Sequence, residues 1–371
     1  MNLPCPVSSS LVKILVIRLK QIGDALLSLP VCASLRKTFP DAQIDYLIYE
    51  HIAPLFLKHP AIDNVRVITA EERKKPWRYL GKVLSLRKQR YDMVVDLMTV
   101  PITVLTTRLS GAQIQIGFDK GKWRSRLYKT PMVHRWELGP MDCKLAMLDG
   151  LPYPVSIDRT MKIYLDSSEV ETMRQQMREA GVDMQRPVLL FSPISRLGNK
   201  NWPGDYFVTL VEHCLRLCNA QAVFIWGPGE RDMVQPLAAR IAPRGKVFSN
   251  IATNALRDLA ALSANCALFV GNDSGPRHVA EAVGIPTFTI FAPTVKKSVW
   301  LPNLGDRHRA VDMTDLLEIN EEQWFEKAPE FRERIDDFFR AMTPEFVITK
   351  LDPMLEDLAL VNDNRRQSSL C

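Results

Sequence analysis

The clearest indication of the fold comes from the segment Val270-Gly-Asn-Asp-Ser-Gly-Pro-Arg-His-Val-Ala-Glu-Ala-Val-Gly-Ile-Pro286. The apolar run Cys266 to Val270 predicts a buried strand, and Pro276 to Val283 predicts a helix that begins soon after it. A strand, a glycine-containing turn and a helix in this order are typical of a parallel α/β sheet. The backbone N–H groups around Ser274 and Gly275 would point out of the helix N-terminus, where they favour an anion such as phosphate.

The same turn has a plainer interpretation, in which Asp273 or Ser274 simply caps the helix. The two most common phosphate-binding fingerprints are missing: the sequence has no GxGxxG after its first strand and no GxxxxGK[ST]. Dinucleotide-binding and P-loop interpretations therefore lose support.

A second strand–turn–helix unit opens the chain. Lys13-Ile-Leu-Val-Ile-Arg18 predicts a buried parallel strand, Gly23 permits a tight turn, and Asp24 to Lys37 carries apolar residues at helical spacing. Asp24 is interpreted either as the N-cap of this helix or as a general base. Ligands bind at the carboxyl ends of strands in open α/β sheets, and Asp24 is expected there.

A third unit combines the predicted strand Pro187 to Phe191 with the loop Ser192-Pro-Ile-Ser-Arg-Leu-Gly-Asn-Lys-Asn-Trp-Pro203. Ser195, Arg196 and Lys200 suit the neutralisation of a diphosphate. The alternative is a basic surface loop in which Trp202 and Pro203 start the next helix, and Lys200 taken alone fits that alternative well.

Strand and helix patterns alternate along the whole chain of 371 residues, and the pattern weakens only between about Tyr153 and Arg186. Further strands are predicted at Gln43–Tyr49, Val65–Ile68, Met93–Leu97, Gln113–Ile116, Ala222–Trp226 and Thr287–Phe291. We expect two Rossmann-like domains, residues 1–165 and 166–371, with a cleft between them. A last helix, roughly Pro344 to Leu360, is expected to return to the first domain.

Composition excludes a disordered chain, a collagen-like repeat and a coiled-coil rod, because hydrophobic residues make up 46% and charged residues 24%. A net charge of +6 is compatible with an anionic small molecule, a membrane surface or nucleic acid. The seven cysteines include no CxxC pair and are interpreted as reduced thiols. Without a spanning or signal segment, we expect a cytoplasmic protein, soluble or attached only to a membrane surface.

Four stretches in the right order resemble the lipopolysaccharide heptosyltransferases, family 9 of the glycosyltransferases, and the resemblance runs from Lys13 to about Leu360. The stretches are Lys13-Ile-Leu-Val-Ile-Arg-Leu-Lys-Gln-Ile-Gly-Asp-Ala-Leu-Leu-Ser-Leu-Pro30, Asn199-Lys-Asn-Trp-Pro203, Asn272 to Pro286 with Phe291-Ala-Pro-Thr294, and Ala341-Met-Thr-Pro-Glu-Phe-Val347. The resemblance implies a GT-B architecture of two Rossmann-like domains. It also implies inverting transfer of heptose from ADP-heptose to the lipopolysaccharide inner core, with no cofactor.

Carried over by position, the resemblance makes Asp24 the general base and places Lys200 at the ribose and phosphates of the donor. Asp273 would hold the sugar and its loop, and Glu230 would contact the ribose. The remaining donor residues are those expected at the diphosphate, Ser195, Arg196, Ser274, Gly275, Pro276 and His278, and those near adenine, Thr253 and Asn254. The chain departs from the family pattern at Ala292, at Arg277 and over residues 296–340.

The sequence has no DxD motif, so we expect metal-independent catalysis. Lys200 and the helix N-terminus after Asp273 would balance the charge of the nucleoside diphosphate leaving group.

Two basic aromatic segments, Glu71 to Tyr79 and Lys120 to Lys129, suit an acidic glycolipid acceptor or an anionic membrane surface. Within them, Lys74, Lys75, Arg124 and Arg126 are the candidate residues for binding the acceptor or the membrane. The alternative is an ordinary solvated face. No nucleic-acid-binding motif accompanies these residues, so no nucleic-acid partner is expected.

Three other functions remain open at this point. A GT-B enzyme could use another nucleotide sugar and another cell-surface glycan. A non-catalytic sugar-nucleotide-binding protein would share the fold, but it would not need Asp24, Lys200 and Asp273 together. An NAD-dependent oxidoreductase is disfavoured by the missing fingerprint.

Overall fold

The chain forms two compact units, Met1–Tyr164 and Leu165–Cys371. The structure is a computed structural model that describes residues 12–121, 126–301 and 305–361. Each unit contains one six-stranded parallel sheet with helices, as predicted, and this is the GT-B type of α/β architecture.

The first unit has the strand order β3-β2-β1-β4-β5-β6. Its strands are β1 (Lys13–Ile17), β2 (Gln43–Tyr49), β3 (Asn64–Ile68), β4 (Met93–Asp96), β5 (Ile114–Asp119) and β6 (Thr130–Val133). The central strands are continuous apolar runs because both faces of a parallel sheet are covered. Ile14 to Ile17 are accordingly fully buried.

The helices of this unit are α1 (Ile22–Leu26), α2 (Leu29–Thr38), α3 (Ala70–Lys74), α4 (Pro76–Arg87), α5 (Pro101–Ser110) and α6 (Gly139–Leu145). The single helix predicted from Asp24 is wrong, because the chain breaks between α1 and α2. Pro30 lies in the first turn of α2 and cannot donate a hydrogen bond to the turn before it.

The second unit repeats the topology of the first, with strand order β12-β11-β10-β7-β8-β9. Its strands are β7 (Val188–Ser192), β8 (Gln221–Phe224), β9 (Val247–Phe248), β10 (Leu268–Asn272), β11 (Thr287–Ile290) and β12 (His308–Val311). Reading from the first strand of each unit, both sheets have the Rossmann order 3-2-1-4-5-6. No repeat is visible in the sequence, so the topology is shared without close sequence similarity.

The helices of the second unit are α7 (Ser167–Glu179), α8 (Gly204–Leu217), α9 (Arg231–Arg240), α10 (Leu256–Ala264), α11 (Gly275–Val283), α12 (Lys297–Trp300), α13 (Met313–Leu317), α14 (Glu321–Glu333), α15 (Ile335–Ala341) and α16 (Pro344–Asp357). The last of them packs against α8 and beside β12. Its Val347 and Leu351 are fully buried in the core of the second unit. A return of this helix to the first unit stays a prediction.

No helix in the described ranges combines the length and the apolar composition that a bilayer crossing requires. The cysteines within those ranges, Cys32, Cys143, Cys214, Cys218 and Cys266, are buried free thiols.

Candidate active site

The switch point of the second sheet lies between β7 and β10, where ligands bind in open α/β folds. Asn272, the last residue of β10, joins the two loops that start there. Its Nδ2 donates to the Pro193 carbonyl oxygen at 2.6 Å, and its Oδ1 accepts from the Trp202 backbone N–H at 3.3 Å. A side chain at Gly271 would place its Cβ 2.6 Å from the Ser192 carbonyl oxygen, so this position requires glycine.

Lys200 and Asp273, predicted from different loops, form a direct ion pair at this switch point. Lys200 Nζ lies 2.6 Å from Asp273 Oδ2. Asp273 is buried, whereas about a quarter of the Lys200 side chain is exposed. Burial alone would raise the pKa of Asp273, but the charges of Arg277 and Lys200 outweigh it and hold this pKa below its usual value. The carboxylate is therefore ionised at neutral pH.

Arg277 lies behind this pair with a fully buried side chain. Its guanidinium donates to Asp273 Oδ1 at 3.3 Å, to Glu281 Oε2 at 3.1 Å and to the Trp300 carbonyl oxygen at 3.1 Å. It also lies 2.8 Å from His278 Nε2. Because a guanidinium has no acceptor, Nε2 must accept, which assigns the ring proton of His278 to Nδ1.

The network around Arg277 was missed by sequence reasoning, which noted only that this residue departs from the family pattern. A signal was present, since Asp273, Arg277 and Glu281 are each four residues apart and so share one helix face.

The N-terminus of α11 has no side-chain cap. Ser274 is its N-cap residue but makes no capping hydrogen bond, so the plainer prediction of an Asp273 or Ser274 cap is wrong. Ser274 Oγ is buried and has no hydrogen-bond partner among the residues that the structure describes. Pro276 has no N–H, and Gly275 starts the helix. An unsatisfied hydroxyl and the positive end of the helix dipole at one place suit an anionic ligand.

The other predicted donor residues lie around the same sheet edge. Ser195 is buried, and its N–H donates to Asn201 Oδ1 at 2.6 Å, whereas Arg196 is exposed. Glu230 follows β8, the strand next to β7, and its Oε2 accepts from the Gly227 N–H at 2.7 Å. One oxygen of Glu230 therefore stabilises its own turn.

The two residues predicted near adenine, Thr253 and Asn254, lie in the segment before α10. Thr253 is half-buried and Asn254 is exposed.

The first sheet has its own polar cluster at the switch point between β1 and β4. Arg18 follows β1 directly and pairs with the Asp24 carboxylate. It also donates to the Leu97 carbonyl oxygen, just after β4, at 2.5 Å. Asp24 lies in the first turn of α1, whose N-cap is Gln21, so an N-cap role for Asp24 is wrong.

The electrostatics of this cluster keep Asp24 ionised. Burial would raise the pKa of this carboxyl, but Arg18, Lys144 and Lys20 outweigh burial and lower it. Lys144 is buried, and its Nζ lies 3.4 Å from the Asp24 carbonyl oxygen. Burial and the charge of Arg18 hold the pKa of Lys144 well below its usual value, although Asp24 opposes this. Sequence reasoning missed Arg18 and Lys144 as parts of the site.

Asp96 supports the loop that carries Leu97. Its fully buried carboxylate accepts from Tyr128 Oη at 2.5 Å and from the backbone N–H of Met98 and Thr99 at 2.9 and 3.2 Å. The pKa of Asp96 is raised by burial, which these hydrogen bonds oppose.

Only parts of the two basic aromatic segments, Glu71 to Tyr79 and Lys120 to Lys129, are loops. Lys74 is exposed at the end of α3, and Lys75 is half-buried between α3 and α4. Arg126 is exposed in the turn before β6, whereas Arg124 lies outside the described residues. Tyr79 is buried in α4 with its hydroxyl 2.8 Å from Thr106 Oγ1, so it is not a surface aromatic.

Relatives of known sequence match most of the chain. It is 28% identical to "Lipopolysaccharide heptosyltransferase 3" of Escherichia coli over 281 residues, which cover 73% of this chain and 81% of that protein. It is 26% identical to "Lipooligosaccharide heptosyltransferase 2" of Haemophilus influenzae over 358 residues, 92% of this chain and 99% of that one.

Solved structures share the fold. A glycosyl transferase family 9 protein from Veillonella parvula has a TM-score of 0.78 at 21% identity, covering 93% of this chain and 97% of that one. Escherichia coli ADP-heptose lps heptosyltransferase II has a TM-score of 0.70 at 21% identity, covering 92% and 98%. The model of glycosyltransferase family 9 (heptosyltransferase) matches residues 80–316, well over half of the chain. The chain therefore belongs to glycosyltransferase family 9, the heptosyltransferases.

Proposed function

We propose that this protein transfers heptose from ADP-heptose to the lipopolysaccharide inner core, with inversion at the anomeric carbon. The observation that carries the proposal is the ion pair of the buried Asp273 with the partly exposed Lys200, beside the uncapped N-terminus of α11. These groups suit a sugar diphosphate, and relatives of this family are named lipopolysaccharide heptosyltransferases.

In the donor half of the reaction, negative charge grows on the ADP leaving group as its bond to the anomeric carbon breaks. Lys200, the α11 N-terminus and the Ser274 hydroxyl are fixed in advance and would stabilise that charge. Asp273 would accept hydrogen bonds from the sugar, since Arg277 and Lys200 keep it ionised. Arg196, Glu230 and His278 would complete the contacts to ribose and diphosphate.

In the acceptor half, a hydroxyl of the core sugar attacks the anomeric carbon from the face opposite ADP, which inverts the configuration. Its proton goes to the Asp24 carboxylate while the new C–O bond forms. Arg18 would orient this carboxylate and keep it ionised.

We infer that the reaction needs no metal ion. This inference is supported by Lys200, Arg196 and the α11 N-terminus, which would supply the positive charge that a metal ion would otherwise bring to the diphosphate. Within the described ranges, no three His, Cys, Asp or Glu side chains are grouped to hold a metal ion.

A glycolipid acceptor would place the enzyme at the cytoplasmic face of the inner membrane, held there reversibly. Lys74, Lys75 and Arg126 support this proposal because they add positive charge to the unit that contains Asp24. Arg124 belongs to the same basic segment of the sequence.

The test is a donor panel with nucleotide release as the readout, together with the lipopolysaccharide mass profile of a deletion strain. We expect turnover with ADP-heptose and a core truncated by one or more heptoses. Equal turnover with another nucleotide sugar would favour a different GT-B transferase. Binding without any release, on every acceptor tried, would instead favour a non-catalytic sugar-nucleotide-binding protein.

A further inference from the structure

Helices α4 and α5 of the first unit carry a row of apolar side chains that is exposed, in addition to the row packed in the core. The buried stripe of α4 consists of Tyr79, Val83 and Leu86. The two helices contact each other through the Tyr79 hydroxyl and Thr106. Beside this contact, five large apolar side chains are between 39% and 69% exposed: Trp77, Leu80, Leu84, Ile102 and Leu105.

The spacing of these five residues places their side chains on one continuous surface. Trp77, Leu80 and Leu84 follow the i, i+3, i+7 pattern along α4, and Ile102 and Leu105 are three apart on α5. We call this set the α4–α5 surface. Single exposed leucines are common on soluble proteins, but a stripe shared by two contacting helices marks an interaction site.

The charge around the α4–α5 surface has one sign. Residues 73–90 contain eight Lys or Arg and no Asp or Glu, and α5 adds Arg108. The nearby acids Glu71 and Glu72 are already paired with Arg78 and Lys82. An apolar stripe whose border is mainly cationic is complementary to an anionic lipid headgroup layer, into which Trp and Leu insert while Lys and Arg remain at the phosphates.

We propose that the α4–α5 surface docks this protein onto anionic phospholipid. This inference rests on the proposed function, whose acceptor is a membrane glycolipid, and it names the surface that meets the bilayer. An interface between two copies fits less well, because a pair of such surfaces would bring eighteen Lys or Arg side chains together against the four carboxylates of Glu71 and Glu72.

The experiment uses the full chain and two kinds of vesicle, phosphatidylcholine alone and phosphatidylcholine mixed with phosphatidylglycerol, with co-sedimentation as the readout. One variant combines Trp77→Ser with Leu80→Ser, and a second combines Lys74→Glu with Lys88→Glu. Their matched controls change exposed residues of the second unit: Met233→Ser for the first, and Arg216→Glu with Lys327→Glu for the second.

We expect binding to the anionic vesicles only, weakened by salt because the Debye length falls from about 10 Å at 0.1 M to about 3 Å at 1 M. Each surface variant should weaken binding at least about tenfold, since each cation near the surface contributes about fivefold and buried apolar groups add more. The controls should bind like the unchanged protein. Both comparisons would then support the α4–α5 surface.

Two results would overturn the proposal. The first is equal binding of a surface variant and its matched control. The second is a concentration-dependent dimer that Trp77→Ser dissociates, which would assign the surface to a second copy. Nucleotide release on a soluble core fragment is measured in parallel. Normal release with lost docking supports the docking proposal alone, and absent release in the unchanged protein counts against the proposed reaction instead.

Discussion

The Arg18 guanidinium is paired with the Asp24 carboxylate, the group that we propose as general base. This pairing has two opposite effects on catalysis. It keeps the carboxylate ionised and fixes its orientation, but it also lowers the pKa of Asp24 and so makes the carboxylate a weaker base. Transfer of a proton to Asp24 therefore depends on the acceptor hydroxyl losing its proton only as the glycosidic bond forms.

Replacing Asp24 by asparagine should abolish most of the turnover while leaving the fold and donor binding intact. We expect kcat to fall at least about 100-fold, the usual scale for loss of a general base. Donor affinity, measured by calorimetry, should be unchanged because the donor residues belong to the second unit. Asp41→Asn, a change of an exposed carboxylate, is the control. Near-normal turnover of Asp24→Asn would remove Asp24 from the mechanism.

Replacing Arg18 by glutamine should move the acid limb of the pH profile to higher pH. In the unchanged protein the pKa of Asp24 lies below the usual value of an aspartate carboxyl. Its ionised form therefore adds stability above that usual value, and this contribution is lost as the pH falls through the lowered value. Without Arg18, burial acts with less opposition and raises the pKa, so kcat/KM should decline at a higher pH. Identical acid limbs in both proteins would show that Arg18 does not tune Asp24.

The parts of the fold that could be predicted are those in which burial produces a recognisable apolar pattern in the sequence. The central strands β1, β7 and β10 are uniformly apolar and were predicted within two residues of their bounds. The strands β6, β9 and β12 were missed because these edge strands have one neighbour, are largely half exposed, and are short or of mixed sequence, such as Thr130–Val133. The break between α1 and α2 was missed because apolar spacing continues through Pro30.

The candidate site shows the same division. The proximity of Lys200 and Asp273 could be predicted because each follows a recognisable strand, and the two form an ion pair. Their roles at the donor stay predictions. Lys144 could not be predicted, because a single lysine in α6 has no local pattern and only tertiary structure brings it near Asp24.

Turnover should persist in excess EDTA. In the proposed mechanism Lys200 and the α11 N-terminus supply fixed positive charge at the diphosphate, so no cation is needed to balance it. Nucleotide release is measured before and after dialysis against the chelator, with a metal-dependent glycosyltransferase as positive control. Complete loss of turnover, restored by Mg²⁺ or Mn²⁺, would reveal a cation site that the proposal omits.

Replacing Lys200 by methionine should weaken the binding of the donor more than the binding of the acceptor. The change removes the partly exposed cation 2.6 Å from Asp273 while keeping the length of the side chain. We expect the KM for ADP-heptose to rise and kcat to fall, together at least about tenfold in kcat/KM, because Lys200 meets charge that grows in the transition state. Lys246→Met, a change of a lysine distant in sequence, is the control. An unchanged kcat/KM would place Lys200 in the surface-loop alternative.

The buried group Asp273–Arg277–Glu281 should behave as one energetic unit. Arg277→Met removes the only side-chain cation that bridges these two carboxylates within the described structure. We expect a loss of about 3–5 kcal/mol in the free energy of unfolding, the scale for breaking a buried ion pair from one side. Glu281→Gln in the Arg277→Met background should recover part of that loss, because it removes a buried charge that has lost the Arg277 guanidinium. Urea unfolding of both single variants and the double variant gives the coupling energy. Additive losses would contradict a coupled pair.

Donor affinity measured on the same proteins separates the two roles of Arg277, since Arg277→Met should weaken ADP binding through Asp273 and His278, whereas Glu281→Gln alone should leave that binding nearly unchanged.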